Sequence, residues 1–212
     1  MPDAANSALL SLTSHELRGP AAVIRGSLKM IDADPALGDR SRRATGQARR
    51  AVARLVEMLD EVSELARLRD AKGKLPLRRL SVRSVLTQAV QAVTLPAGAD
   101  CALDVVAPVD VRLRGDEQRL KSVFETLIVA LARTQATATT IDLHVTARRA
   151  STLITVTPRT LHRGATSDRP LDVSRGGTGF LLPIAEAIVQ RHGGRLRERW
   201  MAGRWVGYAV RL

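Results

Sequence analysis

The chain has 212 residues, 45% of them hydrophobic, and carries 33 Lys and Arg against 21 Asp and Glu, a net charge of +12. That composition supports one or two domains with real cores, and no apolar run approaches the ~20 residues a membrane span requires. The single Cys101 excludes an internal disulfide framework and a cysteine-cluster metal site, and the N-terminus lacks a signal-peptide pattern, so a soluble protein in a reducing cytoplasm is expected.

Two helical segments come first. In one, Leu9, Leu12, Glu16, Val23, Gly26 or Ser27 and Met30 follow a three/four spacing, flanked by Ile24 and Ile31. In the next, Ala48, Val52, Leu55, Leu59, Val62 and Ala66 repeat the rhythm, widened by Val56 and Leu65. Such stripes mark seams that pack against other helices. Between them "DADPALGD" (32–39) breaks the helix with Asp, Pro and Gly. The two segments form an antiparallel hairpin. One hairpin cannot cover both seams, so two hairpins pairing into a four-helix homodimer is the expected arrangement.

This helical domain takes residues 1–70. The linker, 71–79, falls in the charged, Gly- and Pro-containing "RDAKGKLPLRR", and a second domain takes 80–212. A helix near 81–94 leads to strand-like runs at "CALDVV" (101–106) and "VDVRLRG" (109–115), then a helix over about 116–135. "TIDLHVTARR" and "TLITVT" alternate as the two strands of a hairpin. A Gly-, Arg- and Ser-rich loop (158–177), a helix to about His192 and the closing strands "GRLRERW" and "WVGYAVRL" complete the chain. Helices mixed with antiparallel strands give an α+β sandwich, one sheet covered by helices on one face. With only Phe124, Phe180, Trp200, Trp205 and Tyr208 as aromatics, its core must be aliphatic.

Arginine carries the positive charge, 29 Arg against 4 Lys, and six arginines lie between Arg40 and Val56 with no carboxylate among them. Such a face attracts an acidic partner, with Arg49, Arg50 and Arg54 as candidate docking residues. A nucleic-acid reader would add a recognition motif or an aromatic stacking platform, and neither is present.

"SHELRGP" (14–20) sets a histidine beside a glutamate near the start of the first helix. About 160 residues later stands "GGTGFLLPIAEAIVQRHGGRL" (176–196). In this order the two motifs resemble the catalytic core of bacterial sensor histidine kinases, the second being similar to the last glycine box and following helix of the ATP-binding domain. "LSVRSVLTQAV" and "GDEQRLKSVFETL" are similar to that domain's opening helix and the lead into its asparagine box. The resemblance covers nearly the whole chain and implies a dimeric four-helix bundle followed by an ATPase-like α/β sandwich. It makes His15 the phosphoacceptor, since imidazole is a nucleophile that holds phosphoryl as a labile phosphoramidate. Glu16 then takes the place of the family's acidic residue, which hydrogen-bonds the ring and acts as base. Arg18, one turn from His15, is placed to steady phosphoryl oxygens. Pro20 lacks an N–H and should kink the helix just after the site. Gly19 stands where many family members carry a Thr or Asn that orients the water for receiver dephosphorylation, and it cannot do so.

The ATP-binding half departs from the pattern. The resemblance puts Thr126 and Ala130 at the two asparagines, the second of which binds Mg²⁺, and an alanine methyl cannot ligate a hard cation. Pro158 stands where an aspartate meets the adenine amine, and Thr160 where a glycine follows. Gly177 and Gly179 are kept, but Leu181 replaces the last glycine, where a side chain intrudes on a backbone meant to approach phosphate. The retained 177–194 stretch then reads as scaffold, a packing helix (Ile184, Ile188, Val189) capped at Gly193, with His192 in that cap. His144, in a strand pattern, and His162, in a loop, have no partners at metal-ligand spacing.

The expected function is a histidine phosphotransferase, similar to the ChpT-like phosphotransferases. It would carry phosphoryl on His15 between receiver-domain aspartates without binding ATP and with no cofactor of its own, the receiver supplying Mg²⁺. Partners are response-regulator receivers, and a hybrid histidine kinase fits the same role. The alternatives are an ATP-dependent histidine kinase with an atypical nucleotide site, using Glu125 or Thr126 as oxygen donors, and a pseudokinase scaffold that carries no phosphate. Only 14 residues precede His15, too few for a sensor-linked helix, so no sensor domain is expected.

Overall fold

In a computed structural model, the described residues are 2–70, 75–108, 111–135, 138–148, 151–160, 180–201 and 203–212. The chain divides into two compact units, Met1–Lys72 and Gly73–Leu212. No helix among the described residues is long and apolar enough to cross a membrane.

The first unit is the antiparallel pair α1 (Pro2–Asp32) and α2 (Asp39–Arg69). Their seam is built on a seven-residue repeat. Ser14 and Ala21, with half-buried Leu28, line it on α1, and buried Thr45, Val52, Leu59 and Ala66 repeat at the same interval on α2. The α1 stripe expected from hydropathy lies elsewhere: Leu9, Leu12, Val23, Ile24, Met30 and Ile31 are all exposed in the single chain. The reason is size, since small side chains at 14 and 21 let the helices approach and leave the bulky stripe outside. Two ion pairs fix the register, Arg18 with Asp60 at 2.7 Å near the middle of α1 and Arg49 with Asp32 at its end. The helix assignment continues through Pro20 without a break. One missing N–H removes one i to i−4 bond, and the rest of the helix carries on past it.

The second unit begins earlier than expected. Arg78 and Arg79, assigned to the linker, open strand β1 (Arg78–Ser81), which pairs antiparallel with β3 (Arg112–Gly115). The unit therefore holds two sheets where one was expected, because β3 pairs with β1 and does not join the larger sheet. Between them come α3 (Val82–Ala92), capped by the Ser81 hydroxyl, and β2 (Cys101–Val106). Then follow α4 (Glu117–Ala132), capped by Asp116, β4 (Thr139–Arg148), β5 (Ser151–Pro158), α5 (Leu181–Arg191), β6 (Arg195–Met201) and β7 (Arg204–Arg211). The five-stranded order is β2-β4-β5-β7-β6, antiparallel except for the β2–β4 pair.

One face of this sheet is apolar, with Ile141, Leu143, Val145, Ile154, Val156 and Val210 buried. Against it lie the helices, which bury Leu86, Leu120, Phe124, Leu127, Ile188 and Val189, an aliphatic core around one phenylalanine. Gly207 (φ +131°) allows β7 to cross close to β5, since a Cβ there collides with the Val156 carbonyl. The opposite face is polar. There Arg159 holds Asp142 through both carboxylate oxygens, 2.6 and 3.0 Å, and Asp104 at 2.5 Å. These hydrogen bonds hold its guanidinium well above the usual range.

His192 joins the two helices that flank the expected nucleotide region. Its Nε2 accepts the Asp116 backbone N–H at 2.9 Å, and its Nδ1, the protonated nitrogen in this arrangement, donates to the Ile188 carbonyl at 2.7 Å. The C-terminus of α5 is thereby fastened to the N-terminus of α4, and Gly193 (φ +75°) turns the chain out of the helix. His192→Ala leaves the Asp116 N–H without its partner and is expected to destabilise this unit by about 1–3 kcal/mol. Denaturant unfolding followed by tryptophan emission checks this, because both Trp200 and Trp205 belong to the second unit.

Tyr208 is buried with its ring edge-on to Trp205, centroids 5.3 Å apart, yet among the described residues neither its hydroxyl nor the Trp205 Nε1 has a hydrogen-bond partner. Burial, with the Glu198 charge adding, pushes the phenol upward, so it stays protonated. Tyr208→Phe removes an unsatisfied hydroxyl and keeps the ring contact. The same unfolding measurement should show a gain of up to about 1 kcal/mol, and a loss would mean the hydroxyl is satisfied.

Candidate functional site

Ser14 faces α2 and is 1% exposed, its hydroxyl donating to the Leu10 carbonyl. One residue further along a helix is about 100° further round, and that step brings His15 to solvent. His15, Glu16, Leu17, Arg18, Gly19 and Pro20 are all exposed on one stretch of α1. Glu16 adjoins the histidine, and its backbone carbonyl lacks the i+4 donor that Pro20 cannot supply. A side chain at Gly19 meets nothing within 4 Å, so the glycine is not imposed by packing. Arg18 already has partners, the Asp60 carboxylate at 2.7 Å and the Ser63 hydroxyl at 3.1 Å on α2. It ties the turn that carries His15 to α2 and leaves further guanidinium N–H groups facing solvent.

The three candidate docking arginines sit lower on the hairpin. Arg49 pairs with Asp32, Arg54 is half-buried and has an interaction, and Arg50 is exposed. Asp32 lies 17 residues from His15, about 25 Å of helix. The arginines are therefore not part of the histidine site itself.

In the second unit the positions of the expected nucleotide face are described in part. Thr126 and Ala130 are half-buried one turn apart on α4. Glu125, the alternative oxygen donor, forms an ion pair with Lys121 at 3.5 Å. Pro158 is the last residue of β5, opposite Ile141, where its missing N–H costs the ladder little. Leu181 is the first residue of α5. Gly177, Gly179 and His162 lie outside the described residues. Where the resemblance expects an oxygen ligand and a carboxylate, positions 130 and 158 carry a methyl and a pyrrolidine ring. The His192 clasp supplies structure and leaves neither ring nitrogen free. His144 is exposed on the polar sheet face beside Thr146, 3.4 Å from its hydroxyl. Cys101 is half-buried, and burial with the nearby Asp100 charge pushes its thiol up, away from reactive thiolate.

Sequence reasoning missed two features here. The Arg18–Asp60–Ser63 tie joins residues more than 40 positions apart, and only the seven-residue repeat on α2 hinted at which side of α1 it faces. The ring of His192 bonds across 76 positions, for which the sequence carries no signal.

Comparison with known proteins agrees with this geometry. Residues 5–71 match the family model of the His Kinase A (phospho-acceptor) domain. The chain is 26% identical over 191 residues to sensor protein DivL of Caulobacter vibrioides, covering 85% of this chain and 24% of that protein. It is 28% identical over 206 residues to the phosphate regulon sensor protein PhoR of Pseudomonas aeruginosa, covering 90% and 46%. Sensor histidine kinase YcbM of Bacillus subtilis is 24% identical, with 88% and 64% covered, so the chain spans less than two thirds of each of these relatives. Among solved structures, full-length ShkA in complex with AMPPNP superposes with a TM-score of 0.67 at 19% identity, over 96% of this chain and 45% of that one. The histidine kinase AdeS of Acinetobacter baumannii superposes with a TM-score of 0.57 at 17% identity, over 93% and 96%. Residues 5–71 thus match the model of the His Kinase A (phospho-acceptor) domain, and the chain has the fold of the solved histidine kinases on which it superposes.

Proposed function

We propose that this chain is a histidine phosphotransferase of a two-component phosphorelay. His15 takes a phosphoryl group from the aspartate of one response-regulator receiver and passes it to another. The observation that carries this reading is the contrast between the two units: the acceptor helix presents His15 and Glu16 to solvent within the matched stretch, while Ala130 and Pro158 stand where the resemblance expects groups that hold a magnesium nucleotide. One ring nitrogen attacks phosphorus, the bond to the aspartate oxygen breaks with its electron pair going to the carboxylate, and the proton on the other ring nitrogen passes to Glu16. The reverse sequence loads the next receiver. The receiver brings its own Mg²⁺, so this chain needs no cofactor. Arg18 steadies phosphoryl oxygens with its remaining guanidinium N–H groups while one Nη donates to Asp60 and Ser63 and fixes its position.

Docking uses the arginine-rich start of α2. A folded partner of about 100 residues, with a radius of gyration of about 13 Å, is wide enough to touch both His15 and Arg50. The curated relatives named as sensor kinases favour a second reading, an ATP-dependent kinase with an atypical site. It requires a Mg²⁺ ligand other than Ala130, and Glu125 would first have to leave Lys121.

Incubation with γ-labelled Mg-ATP is expected to leave the protein unlabelled, whereas a labelled phospho-receiver should transfer its label to wild type and not to His15→Ala. Label from ATP on wild type alone would establish the kinase reading. Failure of every phospho-receiver tried, with regulation of a partner intact in His15→Ala, would leave a scaffold.

We also infer a homodimer through the outer face of the hairpin. Leu9, Leu12, Leu17, Val23, Ile24, Met30, Ile31 and Leu55 are 40–78% exposed. Covering them on two copies is worth on the order of 15 kcal/mol, against about 4–15 kcal/mol for association. Val23→Glu combined with Met30→Glu should convert a dimer to a monomer in light scattering at micromolar concentration. A wild-type protein of monomer mass would remove the inference.

A further inference from the structure

β6 is an edge strand, and among the described residues its only neighbour in the sheet is β7. Arg195, Arg197 and Arg199 alternate along it with Leu196, Glu198 and Trp200, so the three arginines share one face. On β7, Arg211 stands directly opposite Arg195 on that same face. All four are exposed, and among the described residues none has a hydrogen bond or an ion pair. The far end of the sheet is the reverse case, since Asp104 and Asp142 are neutralised by Arg159. The acidic end is compensated and the basic end is not.

Along a strand, alternate residues recur about every 6.8 Å, so these guanidinium groups form a straight row matching the side-chain interval of another extended chain. Beyond the row, Trp200 is 51% exposed beside exposed Met201, where a β-bulge ends the regular pairing with β7. Arginine and tryptophan together are the residue types that anchor protein interfaces.

We propose that β6 docks an extended acidic segment of a partner protein, which adds to the sheet as a further strand with Asp or Glu opposite Arg195, Arg197 and Arg199. Its backbone takes up the unpaired N–H and C=O groups along the outer edge of β6, and its carboxylates meet the arginine row. Trp200 covers the end of the added strand. Charged edge strands with bulges also keep a sheet from pairing with its own copies, and the two roles are compatible: a second β6 brings arginine against arginine, while an acidic strand brings the complement. The surface uses no residue of the helical unit and is independent of phosphoryl transfer.

The test uses the full-length protein and two labelled peptides of about ten residues, long enough to cover the seven residues of β6. Their composition is identical, with glutamates at alternate positions in one and in a single block in the other. Fluorescence anisotropy should show the alternating peptide binding at least about tenfold more tightly, with affinity falling as salt rises. Trp200 emission should shift to the blue while buried Trp205 stays constant. Replacing Arg195, Arg197 and Arg199 together by Gln should weaken binding by about tenfold or more, replacing them by Lys should retain most of it, and His15→Ala should bind as wild type. Equal affinity for the block peptide, or for a single-stranded oligonucleotide of the same charge, would reduce the row to a general polyanion patch and overturn the proposal. Absence of binding, or binding unchanged in the Gln variant, would overturn it as well, leaving the arginines as guards of the edge.

Discussion

The close approach of α1 to α2 is the constraint from which the helical unit follows. Ser14 and Ala21, one heptad apart and each 1% exposed, are small enough for the helix backbones to come near. Burying the Ser14 hydroxyl costs little because it is satisfied within its own helix by the Leu10 carbonyl. Once position 14 is committed to the seam, the rest of the face is set by helical rotation. His15 must face solvent, Arg18 must fall within reach of Asp60 and Ser63, and the bulky apolar residues must stand on the outer surface. His15 thus has a packed seam behind it and an open face in front.

The same small residues explain what the sequence concealed. Hydropathy gives weight to large side chains, so on α1 it found the exposed stripe and passed over Ser14 and Ala21, which do the internal packing. On α2 the stripe and the seam coincide at Val52, Leu59 and Ala66, and there the reading was right. In the α/β unit the strands from Cys101 to Val106 and from Thr139 to Pro158 were legible because their alternation is local. β1 was not, since its four residues include two arginines and its partner β3 is more than 30 positions away. A strand that short carries no periodicity of its own, and pairing alone defines it. Of the site, the stretch around His15 stood out in the sequence and lies within the matched residues 5–71; the Arg18 tie to Asp60 and Ser63 was not legible, because it joins residues distant in sequence.

In the α/β unit several residues are held in place by the fold itself. Gly194 is required by the fold, since a Cβ there collides with the Arg211 carbonyl. Asp116 caps α4 through its side chain while its backbone N–H donates to the His192 ring, which fastens α4 to α5. Ala130, Pro158 and Leu181 are the positions at which the chain departs from the pattern its resemblance implies. Alanine suits the interior of a helix, and proline is tolerated at the end of a strand.

Charge is distributed on the same logic. Asp32, Asp60, Glu64, Asp104, Asp116, Glu125 and Asp142 each face an arginine or a lysine. Most of these pairs are exposed and contribute little to stability. Their effect is to set register, as Arg18–Asp60 and Arg49–Asp32 do for the hairpin. With 33 basic residues against 21 acidic ones, a surplus of arginine must remain, and part of it lies on an edge strand whose arginines make no ion pair among the described residues. An uncompensated row of this kind acts through its field, raising the rate of encounter with acidic surfaces and making that encounter sensitive to salt. Phosphoryl transfer between proteins asks little of the histidine-bearing partner beyond a positioned ring. The selectivity of such a protein then rests on how it recognises its partners, and in an arginine-rich chain surface electrostatics is the means at hand.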